Sequence, residues 1–264
     1  MSCEQEYLVL TAAIREAGAE ALRIAKEGFQ TYTKPDDSPV TSADHAVNDI
    51  LLDRLLGPFP HHGWLSEETP DTPARLEKSR VWVIDPIDGT KAFIRGEPEF
   101  CISVALVEDS QPILAAIFNP STNELYTAVR GQGLHLNGTP VPRALSPALA
   151  LPTVALSPWE LHLGRFKSVE EHITGRPMRS IAWALALAAS GTIHGVITFE
   201  GENEWDVAAG TLLLEEAGGS VRDGAGHPLQ YNRPRPRYEG FIATVEGFPE
   251  HLTSQLLRLP RSAH

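Results

Sequence analysis

Cysteine is scarce in this chain: Cys3 and Cys101 are the only two in 264 residues. That is too few for a disulfide framework or a cysteine-based metal cluster, and a reducing cytoplasm is the expected setting. Positive charge is also short, with 22 Lys+Arg against 34 Asp+Glu and a formal net charge of -12. The balance argues against broad binding to a nucleic acid polymer or to an anionic membrane surface. No apolar run approaches the roughly 18 residues of a membrane span, and the opening MSCEQEYLVL carries acids where a secretory leader carries bases. Internal repeats and low-complexity tracts are missing too. The expectation is a soluble cytoplasmic protein with neither nucleic acid nor membrane as partner.

What is present points to a compact fold. Hydrophobic residues make up 42% and charged residues 21% of the chain, ordinary for a globular protein and too apolar for a disordered one. The length suits two modest domains or one large α/β unit. From Glu4 to about Gly28, Leu8, Ala12, Ile14, Ala17, Ala21, Leu22 and Ile24 recur at helical spacing. After the turn KPDDSP, the stretch VTSADHAVNDILLDRLL offers Thr41 or Ser42 as the N-cap of a second amphipathic helix, with Asp44 in its first turn. Between Trp82 and Leu136 short β-like runs separated by turn residues predict a largely antiparallel sheet. Further on, TVAL, GVITF and FIAT alternate with the helical segments IAWALALAAS and DVAAGTLLLEEAGG, predicting an α/β half. The proline-rich TPVPRALSPALALP lies between the two patterns, so the expected domains are 1–145 and 146–264.

The chemistry concentrates in acids at element ends. In WVIDPIDGTKAF a buried strand over Val81 to Ile84 would release Asp85 at its carboxyl end, Pro86 would bend the chain, and Asp88 would fold back to the same point. Two carboxylates sharing a small volume repel unless a divalent cation lets both ionise, and hard Mg²⁺ prefers oxygen ligands. Gly89 and Thr90 would then open a helical turn able to hold a phosphate. On the residues alone, DPIDG reads as well as a polar turn that stops a strand. Glu67-Glu68 in GWLSEET reads as site or as solvated surface, Asp206 in ENEWDVAAG as ligand or helix N-cap, and Asp44 as functional or dipole-complementing acid. His61, His62 and His194 match no compact zinc spacing. Lys91 either adds positive charge beside the phosphate turn or faces solvent.

Taken in order, SPVTSAD, LSEE, WVIDPIDGTKAF and EWDVAAG resemble the successive motifs of the inositol monophosphatase family, Mg²⁺-dependent and lithium-sensitive phosphomonoesterases. The resemblance implies a layered αβαβα sandwich with an α+β first half and an α/β second half. It also implies that Glu67, Asp85, the backbone carbonyl of Ile87, Asp88 and Asp206 hold two or three Mg²⁺ ions, Asp206 reaching in from the second half. By the same resemblance Asp88, Gly89, Thr90 and Asp206 contact substrate, and Glu67, Thr90 and Asp44 activate water for direct in-line attack without a phosphoenzyme. A homodimer is a further implication.

LSEE, DGTKAFI followed by Glu99-Phe100, and EWDVAAG look most like the 3′(2′),5′-bisphosphate nucleotidases, which convert adenosine 3′,5′-bisphosphate to AMP. MRSIAWALALAASG departs from that branch. Ser180, Ile181 and Ala182 replace a Gly-Ser-rich turn, Trp183 is bulky, Ala184 stands near an expected lysine, and His194 replaces an aspartate. Inositol 1-phosphate and histidinol phosphate are the alternative small phosphorylated metabolites. A catalytically silent member that only binds such a metabolite is the alternative from another class.

Overall fold

The computed structural model of the chain describes residues 3–142 and 151–259; the expected domain boundary at 145/146 lies outside them. Helix α1 spans Glu4–Glu27 and buries Leu10, Ala13, Ile14, Ala17, Ala21 and Ile24, a stripe that returns every three or four residues. Leu8 and Leu22, expected in that stripe, are 61% and 40% exposed, and Ala12 is exposed as well. At ~100° per residue they fall outside its arc. A hairpin of β1 (Thr31–Thr33) and β2 (Pro39–Thr41) leads into α2 (Ser42–Leu56).

Strands β3 (Gly63–Ser66), β4 (Arg80–Asp88), β5 (Cys101–Glu108), β6 (Gln111–Asn119), β7 (Glu124–Val129), β8 (Leu134–Leu136) and β9 (Thr139–Pro140) form a seven-stranded sheet in that order. Only β3 and β4 pair in parallel, so the expected antiparallel character holds. A short helix, α3 (Thr90–Ile94), joins β4 to β5.

The second half contains β10 (Thr153–Leu156), α4 (Pro158–His162), β11 (Thr174–Pro177), α5 (Ile181–Ala189), β12 (Gly195–Thr198), β13 (Glu202–Asn203) and α6 (Glu204–Glu216). It continues through β14 (Ser220–Asp223), β15 (Arg237–Tyr238), β16 (Phe241–Thr244) and α7 (Glu250–Leu256). Its five-stranded sheet has the order β11-β10-β12-β16-β14. β10 pairs in parallel with β11 and β12, whereas β16 pairs antiparallel with β12 and β14.

Strand alternation assigns the layers. On β4, Trp82 and Ile84 face the cluster built on α1 and α2, while Val81 and Val83 face the cluster containing α5 and α6. On the second sheet Ala155, Val196 and Ala243 face α5 and α6, while Val154, Leu156, Ile197 and Ile242 pack outward with Leu252 and Leu256 of α7. The order is therefore α1/α2, sheet, α5/α6, sheet, α7: the expected αβαβα sandwich. A Cβ on Gly210 would stand 2.4 Å from the Cβ of Leu185, so the close approach of α6 to α5 needs glycine there. No helix among the described residues is long and apolar enough to cross a membrane.

Candidate active site

The DPID stretch is not a turn that ends β4. The strand runs on to Asp88, and its register against β5 shifts between Asp85 and Asp88: Asp85 faces Ser103 and Asp88 faces Cys101. β4 thus spends one residue more than β5 there, a β-bulge. Three positions along a regular strand would put the two side chains on opposite faces; the extra residue restores them to one side. The bulge therefore does what the sequence reading assigned to a tight proline turn. Asp85 Oδ1 accepts a hydrogen bond from the Ile87 N–H at 3.0 Å, which fixes the bulge from within.

Asp206 arrives from the other half. It is the third residue of α6, and the N-cap is Asn203, not Asp206; Asp206 Oδ2 accepts the Asn203 N–H at 2.6 Å, half of a capping box. Asp85, Asp88 and Asp206 each present a carboxylate oxygen within 4.8 Å of the others. Burial holds all three carboxyl groups above the ordinary carboxylate range, Asp88 up to about 7. Mutual repulsion and the charge of Glu67 push in the same direction. Against this, Asp88 Oδ2 accepts from Ser180 Oγ at 2.7 Å and from the Ala182 N–H. Ser180 also caps α5 through the Trp183 N–H, so the residue that departs from the expected turn ties α5 to the acid cluster.

Asp44 sits in the first turn of α2, 1% exposed. Its Oδ2 accepts the N–H and hydroxyl of Thr41 at 2.8 and 2.6 Å, and its Oδ1 lies 3.3 Å from Thr90 Oγ1. The Thr90 hydroxyl is also 3.1 Å from the Ile87 carbonyl oxygen. Burial raises Asp44 despite the Thr41 hydrogen bonds. Gly89 adopts the left-handed conformation with φ 91°, and a Cβ there would meet the Glu99 carbonyl oxygen at 2.8 Å. The backbone can present the N–H groups of this turn only with glycine in that place.

Glu67 lies just beyond β3 and outside the three-carboxylate group. Its Oε1 accepts from Lys34 Nζ at 2.7 Å, and the same ammonium reaches Glu68 Oε1 at 2.6 Å. Glu68, expected as possible surface, has a side chain only 5% exposed. Glu67, Asp88, Gly89, Thr90 and Asp206 nevertheless line one cavity of about 360 Å³, together with Lys91, Trp159, Arg179, Glu200 and Glu202. Glu202, which the sequence reading missed, is raised to about 8 by burial and by the charge of Asp88, with Thr198 Oγ1 donating to it at 3.2 Å. The only sequence signal for it was the density of acids in FEGENEWD. His194 is structural: its Nδ1 accepts the Thr153 N–H at 2.9 Å.

The donor set suits a hard divalent cation. The converging atoms are all carboxylate oxygens, on side chains that are buried at Asp85 and Asp88 and half-buried at Asp206, and their repulsion is relieved by protonation or by positive charge.

A layered αβαβα protein with acids converging from β4 and from α6 defines the structural class. The chain belongs to the inositol monophosphatase family, whose family model matches residues 4–257. It is 34% identical over 237 residues to an inositol-1-monophosphatase of Rhizobium meliloti, covering 84% of this chain and 87% of that protein. Inositol monophosphatase 3 of Solanum lycopersicum is 32% identical over 243 residues, covering 85% and 88%. Among solved structures, the extragenic suppressor protein suhB of Bartonella henselae superposes with a TM-score of 0.81 at 28% identity, covering 97% of this chain and 98% of that one. The protein is accordingly a phosphoric monoester hydrolase.

Proposed function

We propose that this enzyme hydrolyses the phosphate monoester of a small metabolite with Mg²⁺ held by Asp85, Asp88, Asp206, the Ile87 carbonyl and Glu67. The observation that carries the proposal is the convergence of Asp85, Asp88 and Asp206 within 4.8 Å. Mg²⁺ bound there supplies charge that offsets the carboxylates, polarises the phosphoryl group and favours departure of the alkoxide. The chain's own part is orientation and proton handling. The N–H groups of Gly89 and Thr90 face the phosphoryl oxygens, and the Thr90 hydroxyl takes a proton from the attacking water while passing its own to Asp44 Oδ1, 3.3 Å away. Glu67 shares that role once it parts from Lys34. No nucleophilic side chain is required.

Two esters have separate support. Adenosine 3′,5′-bisphosphate is favoured by the LSEE and DGTKAFI motifs and by Lys91 and Arg179 on the cavity wall, where a second phosphate would meet them. Inositol 1-phosphate is favoured by relatives at 32–34% identity that carry that activity in their names. The enzyme acts as a homodimer in a reducing cytoplasm, where Cys3 and Cys101 stay free and buried. The test is phosphate release from both esters, histidinol phosphate and fructose 1,6-bisphosphate, with Mg²⁺ and with chelator. Release that depends on Mg²⁺ from at least one supports the proposal; no release from any contradicts it.

A further inference from the structure

Trp159 is 57% exposed and joins none of the apolar clusters of the described residues, yet its side chain forms part of the wall of the acid-lined cavity. An indole on a cavity wall offers a ligand both an aromatic face and an N–H. Its position is firmly set. Trp159 lies in α4, where the neighbouring Glu160 is fully buried and accepts the Phe199 N–H at 2.7 Å, anchoring the helix to the end of β12. His162 stacks on the indole with centroids 5.8 Å apart and planes 28° apart. Glu200 and Glu202 line the same cavity, and each carboxyl group presents an oxygen able to accept a hydrogen bond from a ligand there.

We infer that the leaving alcohol carries a flat, N–H-bearing heteroaromatic ring that stacks on Trp159 while its N–H groups meet Glu200 and Glu202. An aromatic face paired with carboxylate acceptors recognises such a ring by stacking and by hydrogen bonding. The inference rests on the phosphomonoesterase reading and narrows its substrate class; Trp159 is a specificity-determining residue that takes no part in the chemistry.

The experiment measures kcat/KM for wild type, Trp159→Ala and Trp159→Phe on two ring-bearing esters, adenosine 2′-monophosphate and histidinol phosphate. Two ring-free esters, inositol 1-phosphate and glycerol 2-phosphate, serve as controls. Trp159→Ala is expected to lower kcat/KM by about tenfold, chiefly through KM, on at least one ring-bearing ester and by less than about twofold on the ring-free pair. Trp159→Phe should retain most of the activity. An equal loss on all four esters, or no loss on the ring-bearing pair, overturns the inference. So does a wild-type enzyme that turns over only the ring-free esters, in which case the phosphomonoesterase reading stands. Absence of turnover on all four overturns both.

Discussion

Ser180 Oγ donates to Asp88 Oδ2 at 2.7 Å across 92 positions of sequence, joining the start of α5 to the bulged end of β4. The bond lowers Asp88 against the burial that raises it. Ser180→Ala removes it together with the cap on the Trp183 N–H. The expected result is a loss of about 1–3 kcal/mol in chemical denaturation and a rise of roughly tenfold in half-saturating Mg²⁺. Unchanged Mg²⁺ dependence in a folded variant would show that the bond does not position Asp88.

The buried carboxyl groups fix the sign of the pH dependence. Desolvation first, and repulsion with it, raises Asp85, Asp88 and Asp206 in the folded state, Asp88 to about 7, and Glu202 to about 8. In the unfolded chain such groups titrate near ~4. Between those limits the folded protein binds more protons than the unfolded one, so stability without metal falls as pH rises from about 4 to 8. Thermal unfolding in chelator should give a lower Tm at about pH 8 than at about pH 6, and Mg²⁺ should raise Tm more at the higher pH. A metal-free Tm that climbs over this interval would contradict the assignment.

Asp88→Asn keeps the shape of the side chain and removes its charge. Mg²⁺-dependent phosphate release should fall by at least about a thousandfold, whereas the metal-free Tm should stay level or rise because one member of a repelling set is gone. Activity near that of wild type would exclude Asp88 as an essential ligand.

Lys34 competes for Glu67. Its ammonium bridges Glu67 and Glu68 at 2.7 and 2.6 Å, so a Glu67 that serves the metal site must exchange Lys34 for Mg²⁺. Lys34→Gln should lower half-saturating Mg²⁺ about threefold. It should also destabilise the fold by about 1–3 kcal/mol, because the Glu68 side chain, 5% exposed, loses its partner. A higher half-saturating Mg²⁺ in Lys34→Gln would mean that the pair supports the site instead of competing with it.

The elements that shape the site were legible where local chemistry dictates them. Thr41 and Asp44 form the reciprocal cap of α2, as the TSAD stretch suggested, and helix α6 opens with Asp206 in its first turn. The bulge in β4 was not, because proline and glycine signal a turn equally well and only pairing with β5 shows where the register shifts. The tether from Ser180 and the bridge from Lys34 depend on contacts between distant segments, and no periodicity in the sequence encodes those. The strands Thr174–Pro177 and Ser220–Asp223 escaped for a related reason: as edge strands of the second sheet they carry little apolar alternation.

The central claim is that Asp85, Asp88 and Asp206 form a metal site. Its most direct test is anomalous diffraction from crystals of the protein grown with Mn²⁺ in place of Mg²⁺. The account predicts a peak about 2.0–2.3 Å from carboxylate oxygens of all three residues, and its loss in Asp88→Asn. Ordered crystals with saturating Mn²⁺ and no peak among these carboxylates would contradict it.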